Sequence, residues 1–418
     1  MVQKSKAGEG EVEVERVRRP FIILIACFTA AFMSYGIRYA YGMLLPEMMK
    51  ELNLTNAQAG LIYTSCLALY TMASVFVGFL VDVKGIKRTT LAFLPLLGIG
   101  AALMSLTSSA WSSALFLGVS GIGASVCWTP LAVWVQRAYP MRRGLSLGIL
   151  QLGPNIGFGT LGLIIPLMVP HIGWRGCWLV LGVASLAVLI PLVYIAQEPV
   201  IESVSMKRNF KEHFLSFKAI FGDKQFWLSG LSYMLASFAI MIPLTFVKSY
   251  AHVELGLEQA VSTTLFTIIG FVGIIGALAI PILSDRIGRG LALMACNTIT
   301  AAGLLGSAVL ARPRGYFDMA LCNAIIGIGY GAMWPLYAAL VKDIYGWGVM
   351  GSVTGLWTLL CGIGLLASPT IGGFVADSYS SYRPAYVVGF AMALASIALV
   401  AVLGFRRKKS DGRKVQVD

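Results

Sequence analysis

Charge is scarce in this sequence. Only 12% of its 418 residues are Asp, Glu, Lys or Arg while 57% are hydrophobic, whereas soluble domains carry about 25% charged residues. With a mean hydropathy of +0.79, a soluble fold is excluded. No acidic residue stands near the middle of any apolar stretch, and none of His171, His213 and His252 does either. Paired acids, a metal cluster and a base-activated nucleophile are therefore all missing at depth, so a membrane-embedded enzyme is not expected, and neither is a cofactor or a metal. The seven cysteines (27, 66, 127, 177, 296, 322, 361) fall inside apolar stretches at no metal-ligand spacing and read as small core hydrophobes. No small-residue cleavage site follows the first apolar run, which predicts an uncleaved first helix. The sequon Asn53-Leu54-Thr55 lies too close to the end of that helix for glycosylation to be expected.

Long apolar runs are what the chain has. We read twelve spans, approximately 20–45, 57–81, 90–109, 112–135, 145–168, 174–196, 225–247, 261–283, 290–311, 316–340, 350–373 and 384–404, each near the ~20 residues that cross a bilayer. The net charge of +13 is distributed by side: 25 of the 32 basic residues fall in the termini and in alternate loops that would face inward. That asymmetry predicts both termini in the cytoplasm and accounts for the basic balance as membrane topology, not nucleic-acid binding. A polar insertion, 197–224, divides the spans six and six. The expected organisation is thus a bundle over 1–196, a cytoplasmic linker over 197–224, a second bundle over 225–405 and a basic tail over 406–418. Within the linker, Phe210 to Phe221 has the pattern of an amphipathic helix on the membrane surface.

The two halves repeat. Gly78-Phe-Leu-Val-Asp82-Val-Lys84-Gly85-Ile-Lys87-Arg88 follows span two, and Pro281-Ile-Leu-Ser-Asp285-Arg286-Ile-Gly288-Arg289 follows span eight. Asp82 with Asp285, and Gly85 with Gly288, share an offset of 203. Gly121 to Trp128 matches Gly327 to Trp334 at 206, and Trp174-Arg175 matches Tyr382-Arg383 at 208. A slowly drifting offset over separate motifs marks a duplicated six-helix unit, and such repeats usually build transporters, whose halves rock about a site between them. Asp82 lies among basic residues and can pair with Arg88, Arg142 or Arg143, forming an ion pair in one conformation and breaking it in another. The glycine pairs 153/157, 327/331 and 351/355 read as helix-packing positions.

The segment GFLVDVKGIKR resembles the signature between helices two and three of the major facilitator superfamily, with SDRIGRG as its second copy. The resemblance covers nearly the whole chain, with Val83 and Pro281 as departures. It implies an all-α membrane protein of two pseudo-symmetric six-helix bundles, working as a monomer in the plasma membrane. It also implies a gating role for Gly78, Asp82, Gly85, Arg88, Arg142, Arg143, Asp285, Arg286, Gly288 and Arg289. The Gly36-Ile37-Arg38-Tyr39 segment is similar to the oxalate and monocarboxylate branch. That branch carries an arginine on span eight, where Leu265 to Leu278 here is uncharged.

Arg38 is the one charged residue near the middle of a span. A guanidinium keeps its charge, and placing it at bilayer depth costs from about 3 to more than about 10 kcal/mol. Glu47, nine residues on, is roughly 13 Å along the helix axis and out of reach. A water-filled cavity and an anionic substrate can offset the cost, and a single cation suits a monoanion. By three-and-four spacing Ser34, Tyr35, Tyr41, Gly42 and Leu45 share its face. In the resembled family spans one, four, seven and ten line the cavity. Trp128, Thr129 and Trp134 on span four, Gln151 and Asn155 on span five, and Tyr330, Trp334 and Tyr337 on span ten are the further candidates. The expected substrate is a small organic anion of monocarboxylate type, moved by diffusion, by exchange for a counter-anion or with a proton. A metabolite or drug exporter and a sugar carrier of the same superfamily are the alternatives. A buried carboxylate for cationic drugs is missing, and central amides for a sugar are few.

Overall fold

A computed structural model describes residues 19–54, 56–199, 220–311 and 315–404. The basic segments 1–18 and 406–418, linker residues 200–219 with most of the amphipathic stretch expected there, and the sequon's Thr55 lie outside the described residues. Every regular element among the described residues is helical. The first half comprises α1 (Pro20–Leu52), α2 (Asn56–Lys84), α3 (Ile86–Leu103), α4 (Ala110–Ala124), α5 (Thr129–Ala138) and α6 (Arg143–Ile195). The second comprises α7 (Lys224–Ser249), α8 (Gln259–Ile287), α9 (Arg289–Val309), α10 (Tyr316–Tyr345), α11 (Met350–Tyr379) and α12 (Arg383–Gly404). Eleven segments among the described residues are long and apolar enough to span a membrane. The crossing expected at 145–168 is helical too, as the first limb of α6. At 53 residues α6 would measure about 80 Å if straight, far beyond the ~30 Å hydrocarbon core. Gly173, with φ 64° and ψ 172°, breaks it into two limbs.

Span four departs from expectation. It is not one continuous helix: α4 runs into a 3₁₀ turn at Ser125–Cys127, Trp128 leaves helical geometry (φ −130°, ψ −67°), and α5 restarts at Thr129. Pro130, in the first turn of α5, has no N–H to continue the ladder from α4.

The duplicated sequence has duplicated geometry. Single glycines join α2 to α3 and α8 to α9, Gly85 at φ 91° and Gly288 at φ 92°, a backbone region that side chains resist. At the opposite end of each half an arginine that opens a helix ties three helices together. Arg175 bonds Glu51 at the end of α1 and the carbonyls of Ser105 and Thr107 beyond α3. Arg383 pairs with Glu254 beyond α7 (3.4 Å) and donates to the carbonyl of Ala311 beyond α9. Bonds from the Trp174 indole and from Arg175 hold the Glu51 carboxyl below the usual carboxylate range.

The halves meet through small residues. Gly351 and Gly355 of α11 lie against the backbone of Gly78 and Ser74 of α2, leaving no space for a Cβ. Gly144 and Gly148 of α6 lie in the same way against Pro281 and Ala277 of α8. These are the same positions of the repeat used reciprocally, and together they bring the halves close enough to enclose a cavity between them.

Candidate functional site

The cavity has a volume of about 110 Å³ and is bounded by α1, α2, the Trp128 break, α7, α8, α10 and α11. Arg38 of α1 is in its wall, with the guanidinium carbon 4.8 Å from the ring centre of Tyr35 and 4.3 Å from that of Tyr70 on α2. Two aromatic faces thus hold a permanent cation, a favourable arrangement out of water. The Nε and Nη2 nitrogens of Arg38 are buried with no hydrogen-bond partner. Their N–H bonds point along one edge of the planar group, the geometry that receives both oxygens of a carboxylate. Buried, unsatisfied donors are costly, and an anion laid on that edge would satisfy both. No carboxylate is among the described residues that line the cavity.

Of the expected site residues, Tyr35, Arg38, Trp128, Tyr330 and Trp334 come together in the cavity wall. Asn155 lines a smaller neighbouring cavity of about 20 Å³ with Tyr39, Phe266 and Tyr330, and its side-chain nitrogen and oxygen are unpartnered. Tyr41 is a correction: its hydroxyl donates to the Ala59 carbonyl at 2.8 Å and its ring stacks on Tyr63, so that it backs the cavity wall without being part of it. Six residues of helix rotate it about 120° from Tyr35, too far to share a face. Tyr337 is another, its ring stacked 4.3 Å from that of Tyr233 and its hydroxyl on Ser232. It backs Tyr233, which does line the cavity. Ser34 and Gln151 are buried but outside the wall, as are Thr129 and Trp134, whose side chains meet Thr358 and the Gln197 carbonyl. Sequence reasoning missed Tyr39, Tyr63, Tyr70, Tyr233, Met241 and Phe266. Tyr39 meets Tyr330 hydroxyl to hydroxyl across the two halves.

Polar links join the halves at the end that bears the repeated motif. Asp82 accepts from the backbone N–H groups of Gly351 and Ser352 at 2.9 and 2.7 Å, the start of α11. Asp285 accepts from the Gly144 N–H at 3.2 Å, the start of α6. Each motif aspartate thus caps a helix of the opposite half, where an N-terminus favours negative charge. This corrects the expected pairing of Asp82 with Arg88, Arg142 or Arg143. Arg143 instead pairs with Asp343 of α10 at 2.6 Å, and Arg289 with Asp285 and Asp343. No ion pair is found for Arg88, Arg142 or Arg286 among the described residues. Gln136 and Arg137 of α5 add bonds to the carbonyls of Ala338 and Trp347.

The family described as Major Facilitator Superfamily matches residues 27–369, with a second match over 282–418. Monocarboxylate transporter 12 of Xenopus laevis is 26% identical over 330 residues, covering 72% of this chain and 70% of its own length. Monocarboxylate transporter 4 of Rattus norvegicus is 24% identical over 396 residues, covering 91% and 82%. Among solved structures, the E. coli fucose:proton symporter superposes with a TM-score of 0.74 at 18% identity, over 92% of this chain and 99% of that one. The human organic anion transporter MFSD10 does so with a TM-score of 0.74 at 14% identity, over 92% and 100%. These structural likenesses speak for the fold alone.

Proposed function

The chain belongs to the major facilitator superfamily and is a multi-pass transporter, not an enzyme, and from that premise we propose that it carries a small organic anion of monocarboxylate type by alternating access. The observation that carries this reading is Arg38, a permanent cation in the wall of a cavity shared by the two halves, held between Tyr35 and Tyr70 with its Nε and Nη2 unpartnered. One fixed cation with a bidentate edge matches one carboxylate. The names of the sequence relatives, monocarboxylate transporters 12 and 4, agree in substrate class.

The positive-inside distribution assigns the end with Asp82, Arg143 and Asp343 to the cytoplasm, with both termini there, in a plasma-membrane protein acting as a monomer. The linked inner ends then describe a carrier whose site is reached from outside. The halves, 1–196 and 225–405, move about the site while the caps at Asp82 and Asp285 and the Arg143–Asp343 pair form and break. With no carboxylate among the described residues of the cavity wall, the proton of any symport travels with the substrate, or the carrier exchanges one anion for another. Uptake of labelled monocarboxylates into proteoliposomes tests the function. Saturable uptake that disappears in Arg38→Ala supports it, and uptake of a neutral sugar with no response to organic acids would overturn it.

A further inference from the structure

Arg38 has no counterpart in the other half. The offset of 203 that relates Asp82 to Asp285 and Gly85 to Gly288 also relates Glu51 to Glu254 of the two outer-end ion pairs. Applied to the cavity, it relates Arg38 to Met241, Tyr63 to Phe266 and Tyr70 to Gly273. Met241 and Phe266 also line the cavity. The charge and one of the rings that hold it thus belong to the first half alone. The matching positions of the second half carry an uncharged thioether, a phenyl ring and no side chain. A ligand between the halves meets a cation on one side and an apolar, aromatic surface on the other.

The wall is also unusually rich in rings. Nine of its eighteen residues are Tyr, Trp or Phe, against 11% of the chain, and most are not spent on Arg38. Trp334 stands edge-on to Tyr233 with centroids 5.6 Å apart, a favoured arrangement that fixes both rings in the wall. The cavity, at about 110 Å³, is smaller than the ~150 Å³ apolar cavity that admits benzene, which limits a substrate body to no more than one ring. Thioether sulfur is likewise a favourable neighbour for an aromatic edge.

We propose that the cavity selects a monocarboxylate bearing a single aromatic ring, its carboxylate on the Nε–Nη2 edge of Arg38 and its ring against Met241 and Phe266. Those two residues then set specificity. This rests on the anion-carrier reading above and adds to it the chemistry of the substrate's body and its orientation between the halves.

Equilibrium dialysis of the purified full chain against labelled phenylacetate and labelled lactate tests it, with unlabelled phenylacetamide as the neutral isostere. Phenylacetate is expected to bind at least tenfold more tightly than lactate, phenylacetamide not to compete, and Arg38→Gln to remove both acids. Met241→Gln and Phe266→Ala are each expected to lower the phenylacetate-to-lactate affinity ratio at least fivefold. A variant that merely misfolds lowers both affinities together and leaves the ratio where it was. Lactate binding as well as or better than phenylacetate, with Arg38 still required, overturns the ring assignment and leaves the anion reading standing. An unchanged ratio in both variants, with lactate affinity kept at the wild-type value, overturns the roles of Met241 and Phe266. Binding of neither acid overturns the anion reading itself.

Discussion

Replacing Arg38 by lysine keeps a positive charge at the same height of α1 and removes everything else the structure provides there. The wild-type edge offers two N–H donors to one carboxylate, and a hydrogen bond to a charged partner contributes about 1.5–3 kcal/mol. An ammonium is a point charge, able to reach one oxygen well but not to present a planar fork. The loss of one such bond, at 1.4 kcal/mol per tenfold, predicts binding about 10- to 150-fold weaker. Lysine also gives up the flat faces that Tyr35 and Tyr70 hold at 4.8 and 4.3 Å, so its head is less well oriented and the upper part of that range is expected. Arg38→Ala removes both bonds and the charge, and binding should leave the measurable range. Equilibrium dialysis of a labelled monocarboxylate against purified protein reads the affinity, and counterflow in proteoliposomes reads the transport. Arg38→Lys binding as tightly as wild type would refute the fork and leave only a requirement for charge. Arg38→Ala binding as wild type would remove the site from this cavity altogether.

The inner-end caps give a different signature. Asp82→Asn removes the charge facing the start of α11, an interaction of up to about 2 kcal/mol, and should change turnover severalfold with substrate affinity held within about threefold. Gly85→Val forces a side chain into φ 91° and should act in the same direction, while weak binding with normal saturated turnover in either variant would contradict the gating role. For topology, cysteines at Met141 and Val253, both exposed at opposite ends of the bundle, in a cysteine-free background should differ towards a membrane-impermeant thiol reagent in intact cells: position 253 reacts and 141 does not, and the reverse pattern would invert the orientation. At the outer end, the depressed Glu51 carboxyl contributes stability above its unfolded pKa of about 4.3, lost as pH falls through its lower folded value. Thermal midpoints measured from neutral pH into acid should therefore fall less steeply for Glu51→Gln than for wild type, and parallel curves would show that the pairing does not matter.

Much of the architecture was legible because apolar run length is a local signal and the repeat shows when short segments 203 to 208 residues apart are compared. The spans and the two halves follow from those two signals. Arg38 was legible for the opposite reason, as a lone exception to a rule that the rest of the sequence obeys. The residues that surround it were not, because the rotation of α2 relative to α1 decides whether Tyr63, Tyr70 or Tyr41 turns inward, and no local pattern records it. The partners of Asp82 were hidden similarly. A basic neighbour is visible in sequence, but the backbone N–H groups that open α11 look like any others. In sequence Asp343 is one more acid at the end of an apolar span, and only the fold brings Arg143, 200 residues away, to 2.6 Å from it. Pro130 did signal the break in span four, and a reading from hydropathy alone passes over it.

Symmetry divides the labour of this molecule. Away from the cavity the repeat is kept: both motif aspartates cap the opposite half, and within each half a single-residue link has positive φ and the outer end carries an arginine–glutamate tie. At the cavity the repeat is broken: Arg38 and Tyr70 line it, and the matched positions of the other half are Met241, which lines it too, and Gly273, which does not. A symmetric site would place a second cation opposite Arg38, suiting a dianion and adding a second buried charge to be offset in the empty carrier. On the proposed reading, one cation against an apolar wall binds a monoanion in a single orientation. The empty carrier then has one charge to stabilise, and Tyr35 and Tyr70 are already in place to do so.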